Sequence, residues 1–213
     1  IEKRFQRIKA KLSGYMTEPE RTLRKFPESN TSIPARYARA YAWHKSAYPQ
    51  KALAEVEGLL ATNPNDPYFL ELEGQVLLES GRPKEAFPAL RKALAQSRSR
   101  PLISATLGHA LIATEDKANF AEAEGVLRAS VQKDRYNPFA WYQLGVVYEA
   151  RGDTARARLA SAEVQVMNRQ YPQALANAQA AEAYLPYGSP DWIRAHDVGL
   201  EARGELERVR KRR

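Results

Sequence analysis

The run NPFAWYQLGVVYEARGD, residues 137–153, sets Trp141 and Tyr142 side by side, places Gly145 among apolar residues and puts Gly152 seven positions later. Stacked rings beside a glycine-backed loop would suit a substrate site. The same residues at helical spacing would suit a packing code. Spacing elsewhere in the chain decides between the two. Pro67, Pro101 and Pro138 are separated by 34 and 37 residues, and Gly74, Gly108 and Gly145 each follow one of them by seven. Gly81 and Gly152 follow by fourteen. Ala86, Ala123 and Ala157 align once a three-residue insertion near EDKANF is allowed, and Ala93 falls seven after Ala86. The frame runs back to Ala52 and Pro64, and forward to Ala174, Ala181 and Pro186, which repeat the spacing of Ala52, Leu59 and Pro64. A period near 34 residues is the mark of stacked helix pairs.

Each unit reads as two amphipathic helices. YFLELEGQVLLES is apolar at helical spacing, Gly81-Arg82-Pro83 turns the chain, and KEAFPALRKALAQ resumes the pattern. Proline suits a first helical position, where its missing N–H has no partner to lose. Gly and Ala let two helix axes approach, with larger residues filling the space on either side. Pro88 is the misfit and is expected within the first turn or so of its helix, where its cost is lower. Helix Thr154–Met167 serves both as the second helix of the Pro138 unit and as the first of a unit ending at Pro186. A closing helix then starts near Ser189 and Pro190.

These residues resemble the tetratricopeptide (TPR) signature W-x2-L-G-x2-Y, carried by Trp141, Leu144, Gly145 and Tyr148, with Ala157 and the Gly152-Asp153 turn in phase. Leu70 and Ser104 stand in the tryptophan place of the two preceding units. The resemblance implies an all-α, right-handed helical solenoid of about twelve helices. Residues 1–32 would form an N-terminal helical linker or cap, and 33–188 the repeats, about 33–66, 67–100, 101–137, 138–170 and an overlapping 155–188. Residues 189–213 would be a capping helix with a basic tail. The order of pieces, from IEKRFQRIKAKLSGYM through EPERTLRKFP to the run ending RLASAEVQVMNRQYPQALANAQAAEAYLPYGSPDWIRAHD, is similar to the C-terminal region of bacterial BepA-like zinc metallopeptidases. That resemblance implies a non-catalytic recruiting domain in envelope protein quality control, a periplasmic or envelope location, and zinc only in a parent peptidase domain. It fits a chain that opens at Ile1, without Met, as a fragment or processed product. A TPR adaptor or scaffold in a bacterial assembly or secretion system is the alternative, and a cytoplasmic location stays open.

The residues themselves offer no catalytic motif. His44, His109 and His196 sit in HKSAY, HALIA and HDVGL, without the HExxH spacing that puts two zinc ligands on one helix face. There are no cysteines, so disulfides and thiolate metal sites are excluded. No phosphate-binding glycine loop follows a strand, and no spacing marks a nucleophile elbow. No cofactor is expected. The net charge of +8 is confined to the ends: five Lys/Arg against one Glu in residues 1–11, six against two in residues 203–213, and a neutral body between them. A neutral body argues against nucleic acid along a groove. The basic ends leave peripheral contact with an anionic membrane open. No apolar run approaches the ~18 residues of a membrane span.

What remains is a concave face that binds a protein or peptide segment, or the parent's own peptidase domain. By the TPR resemblance, the groove positions are Tyr37, Tyr41, His44 and Lys45; Tyr68, Glu71, Gln75 and Leu78; His109 and Ile112; and Phe139, Tyr142, Val146 and Glu149. TPR domains that clamp a terminal carboxylate use Lys, Arg and Asn here. Tyr37, Glu71, Ala105 and Tyr142 at one such position, with Arg36 and Lys45 nearby, do not form that set.

Overall fold

The computed structural model describes residues 2–211; Ile1, Arg212 and Arg213, assigned above to the opening helix and basic tail, lie outside the described residues. Twelve α-helices and no strand occur among the described residues: α1 Glu2–Met16, α2 Pro19–Lys25, α3 Ile33–Lys45, α4 Pro49–Thr62, α5 Pro67–Glu79, α6 Pro83–Gln96, α7 Pro101–Ile112, α8 Phe120–Lys133, α9 Pro138–Ala150, α10 Thr154–Met167, α11 Tyr171–Tyr184 and α12 Pro190–Lys211. Proline opens most of them at the first or second position. The side chains of Asp66, Asn137 and Asp153 cap α5, α9 and α10 by accepting backbone N–H bonds. The three-residue insertion becomes a short 3-10 turn, Lys117–Asn119, begun by Asp116.

The turns inside the helix pairs share one geometry. Ala47, Gly81, Glu115 and Gly152 all have left-handed backbone, and their spacings of 34, 34 and 37 residues copy those of the prolines. After Ala47, Gly81 and Gly152 the next N–H reaches back five residues: Tyr48 N to Trp43 O, Arg82 N to Leu77 O, Asp153 N to Tyr148 O. This closure satisfies carbonyls that the helix end would leave bare. The same closure occurs between α6 and α7, where left-handed Arg98 is followed by Ser99 N bonded to Leu94 O, and between α10 and α11, where left-handed Arg169 is followed by Gln170 N bonded to Gln165 O. α10 packs on α9 as well as on α11 and α12. Pro88 sits in the second turn of α6, not the first; the helix continues through it, and Pro88 is exposed.

The chain forms two compact units, the first ending at Ser99 and the second beginning at Arg100. In the first, Tyr37, Tyr41, Val56, Leu59, Phe69, Leu72 and Val76 make one core. Buried Arg39 fastens the loop after α2: its guanidinium donates to both oxygens of Glu55, at 2.6 and 2.9 Å, and to the carbonyls of Pro27 and Asn30 at 2.9 and 2.8 Å. In the second unit, α10 presents Leu159 to Ala181, Leu185 and Ala195, and Ala162 to Ala178 and Val198. α10, α11 and α12 thus pack as a terminal three-helix group. Ser189 Oγ accepts from Trp192 N at the start of α12.

Candidate partner-binding surface

The groove positions fall into two sets, one in each unit. In the first unit the chain's own α1 covers the expected surface. Ala10 is buried, and the Cα of Gly14 faces α3 so closely that a Cβ there would lie 2.7 Å from the Ala38 carbonyl oxygen. This approach brings the rest of α1 down on the groove residues. Arg7 Nη1 is 2.7 Å from Asp66 Oδ2 and its guanidinium lies 4.4 Å from the Tyr68 ring centroid. Lys11 Nζ lies 5.6 Å from the Tyr41 ring centroid, and Lys45 Nζ donates to Tyr15 O at 2.8 Å. Tyr37 and Tyr41 meet edge to face at 5.4 Å, and Tyr37 meets Phe69 at 5.7 Å.

Tyr37, Tyr41, Glu71 and Leu78 are buried, so these four expected groove residues are not accessible among the described residues. Burial pushes both phenols well above the usual tyrosine range. It also raises the Glu71 carboxyl, which Lys11 only partly counters. The sequence signal that was passed over is the pair Ala10 and Gly14, four residues apart, which makes a smooth helix face for close docking. His44 and Gln75 stay at the surface of a recess of about 480 Å³, where His44 Nε2 lies 2.7 Å from Glu79 Oε2 and Gln75 donates to Glu79 at 2.9 Å.

In the second unit the expected residues remain accessible. Tyr142 is 61% exposed, Phe139 meets His109 edge to face at 5.5 Å, and Ile112 and Val146 are half-buried. Tyr142, Val146 and Glu149 line one wall of a cleft of about 700 Å³ between α9 and α10. Its other wall, Ala160, Ser161, Val164 and Gln165, was not singled out from sequence.

One substitution in the repeat explains this cleft. In the earlier pairs a leucine covers the helix glycine: a Cβ on Gly74 would sit 2.4 Å from Leu90 Cγ, and one on Gly108 would sit 2.5 Å from Leu127 Cγ. Counting from the pair's proline, with the insertion allowed for, the equivalent residue opposite Gly145 is Ser161. A Cβ on Gly145 would meet only Ala160 Cβ, at an ordinary 3.6 Å. The missing leucine leaves the space above Gly145 open.

A charged cluster closes the other side of this unit. Arg128 donates to Tyr148 Oη at 2.8 Å and to Asp191 Oδ1 at 3.0 Å, and Arg156 Nε donates to Asp191 Oδ2 at 2.6 Å. Burial acts upward on Asp191, but these two arginines prevail and hold its carboxyl below the usual range. Arg194 Nη2 pairs with buried Glu163 Oε2 at 2.7 Å. Glu163 is nevertheless pushed up, because burial outweighs the arginine. Every acid in the cluster is paired with an arginine, so it reads as a staple tying α12 to α8 and α10. Among the described residues no three or more His, Asp or Glu side chains are grouped to hold a metal, and no helix is long and apolar enough to cross a membrane.

No protein-family profile matches the chain, and no curated protein matches its sequence. Several solved structures match its fold. PilW, a widely conserved type IV pilus biogenesis factor, aligns with a TM-score of 0.59 at 22% identity over 82% of this chain and 86% of its own. MamA from Desulfovibrio magneticus RS-1 aligns at 0.58 and 19% identity over 82% and 94% of the two chains. A tetratricopeptide repeat protein from Parabacteroides merdae aligns at 0.52 and 13% identity over 86% and 76%. With the helix pairs, the in-phase glycines and the recurring left-handed turns, these likenesses show the fold to be an all-α TPR-like helical solenoid.

Proposed function

We propose that this chain is a protein-binding module and that its receptive surface is the cleft between α9 and α10. The adjoining His109, Ile112 and Phe139 extend that surface. The reading is carried by one observation: the cleft stands open where Ser161 replaces the leucine of earlier pairs. An apolar floor with a few polar groups at its edge suits the apolar face of a helix or an extended segment. Val146 and Val164 supply the floor, Tyr142 a ring with a hydroxyl, and Glu149 a charge. In the first unit, Tyr37, Tyr41, Lys45, Tyr68 and Glu71 serve first to seat α1. His44, Lys45 and Gln75 are the groove residues there that still line an open recess.

We further infer that the module recruits substrates or partners for a zinc metallopeptidase of the bacterial envelope, as its C-terminal domain. The resemblance in the order of segments supports this, and the zinc would belong to the catalytic domain of that parent. A second reading, an adaptor in an envelope assembly system, is favoured by the shared fold with a pilus biogenesis factor. The reading frame upstream of Ile1 separates them: an HExxH helix there supports the first, and its absence favours the second.

The cleft is tested with a photo-crosslinking amino acid at position 142 in cells. Crosslinks to a partner are expected from Tyr142 and should disappear with Ser161→Leu, which restores the leucine. A crosslinker at Tyr48, exposed in the first unit, is the control. Crosslinks from position 142 that survive Ser161→Leu would place the binding surface elsewhere.

A further inference from the structure

Helix α1 is docked by its small side. Ala10 and Gly14 face α3, and Arg7 and Lys11 reach over to Asp66, Tyr68 and Tyr41. With 3.6 residues per turn, Phe5, Ile8, Leu12 and Met16 fall on the opposite side, and Tyr15 lies at its edge with one side of its ring against Tyr41 at 6.4 Å. Each is between 51% and 76% exposed. The large apolar residues of this helix therefore point away from the protein, the reverse of the usual arrangement in which the apolar stripe faces the core. The helix cannot simply roll over to bury them, because the tight backbone approach at Gly14 requires the side it now presents.

We propose that this stripe is a seat for the surface of an anionic lipid bilayer, with α1 lying flat in the interface. The charges argue for it. Exposed Lys9 borders the stripe, and residues 1–11 carry five Lys/Arg against one Glu, of which Arg7 and Lys11 are turned inward to Asp66 and Tyr41. A basic amphipathic helix of this kind gains both from apolar insertion and from attraction to acidic headgroups. The exposed Lys9 stem reaches past the apolar zone and holds its ammonium group at phosphate level. Tyr15, with an apolar ring and a polar tip, suits the same boundary. The shape argues the same way. From Phe5 to Met16 the stripe is a ridge about 16 Å long at ~1.5 Å per residue, and a fluid, flat surface needs no matching groove. A second copy is disfavoured, since pairing two stripes would bring two basic flanks together.

The test uses the whole 213-residue chain in co-sedimentation with vesicles of phosphatidylcholine mixed with phosphatidylglycerol, and with vesicles of phosphatidylcholine alone. Binding is expected to the mixed vesicles only and to weaken as salt is raised. Leu12→Glu should lower it about tenfold or more, and Lys9→Glu several-fold, both with unchanged melting because the two side chains are exposed. Ser161→Leu should leave it unchanged, so that lipid binding and the cleft fail or stand independently. The proposal is overturned by absence of binding, by equal binding to neutral vesicles, or by full binding of Leu12→Glu. Self-association relieved by Leu12→Glu would assign the stripe to a second copy instead. Binding by this chain that the full-length product of its gene lacks would assign it to an intramolecular contact.

Discussion

Gly74, Gly108 and Gly145 hold one place in three helices, but only two of them are forced to be glycine. Gly74→Ala and Gly108→Ala drive a methyl group into buried Leu90 and Leu127. Overpacking of this kind costs about 1–3 kcal/mol. Gly145→Ala meets only an ordinary contact with Ala160, and alanine is the better helix former by about 1 kcal/mol. Denaturant midpoints of the three variants should therefore fall for the first two and hold or rise for the third. A comparable fall in all three would mean that Gly145 is covered after all. The glycine period was legible in sequence because close helix crossing demands it. The cleft was not, because it depends on Ser161, a residue defined by the leucine it replaces and visible only when helix α10 is laid against α9. The spacing of Tyr37 and Tyr41 puts them on one face of α3, but spacing along one helix does not say whether a distant segment returns to cover it.

At the scale of the element, the turns inside the pairs carry strain that the sequence shows only in part. Gly81 and Gly152 stood out because glycine accepts left-handed backbone freely. Ala47 and Glu115 adopt the same conformation, and each bears roughly 1–2 kcal/mol for it. Glycine would relieve that strain but would lose more entropy on folding, by about 0.5–1 kcal/mol. Glu115→Gly should accordingly stabilise by up to about 1 kcal/mol, a rise of some 2–4 °C in Tm for a chain of this size. The reverse change, Gly81→Ala, should lower Tm, and a drop for Glu115→Gly would show that the carboxylate side chain contributes more than the backbone loses. Helix α1 gives the opposite lesson. A helical opening segment was expected from the resemblance, but a search for large apolar residues points to the wrong side of it, since the docked face is marked by Ala10 and Gly14.

For the molecule as a whole, α1 carries an electrostatic cost. It buries Glu71, whose carboxyl is pushed above the usual range despite Lys11. A raised folded-state value means that the folded chain holds this proton to higher pH than the unfolded chain. The stabilising contribution is fully present below the ordinary carboxylate range and is lost as pH rises through the raised value. Glu71→Gln should raise Tm at neutral pH and have little effect in acid, so that the two melting curves converge as pH falls. A variant less stable than the parent at neutral pH would show that the ionised carboxylate is held by partners stronger than Lys11. The two compact units can melt separately, so the first transition of a calorimetric scan is the one to follow.

The shared packing of α10 has an evolutionary consequence. A regular beat of 34 residues lets such an array lengthen by duplicating one unit, since every new pair offers its successor the surface it was itself given. The sharing of α10 breaks that inheritance. α10 spends one side on α9 and another on α11 and α12, and a duplicate inserted behind it would find no vacant berth in phase. Growth by copying is therefore closed at this end of the array, and descendants that differ in repeat number are expected to differ upstream of α9.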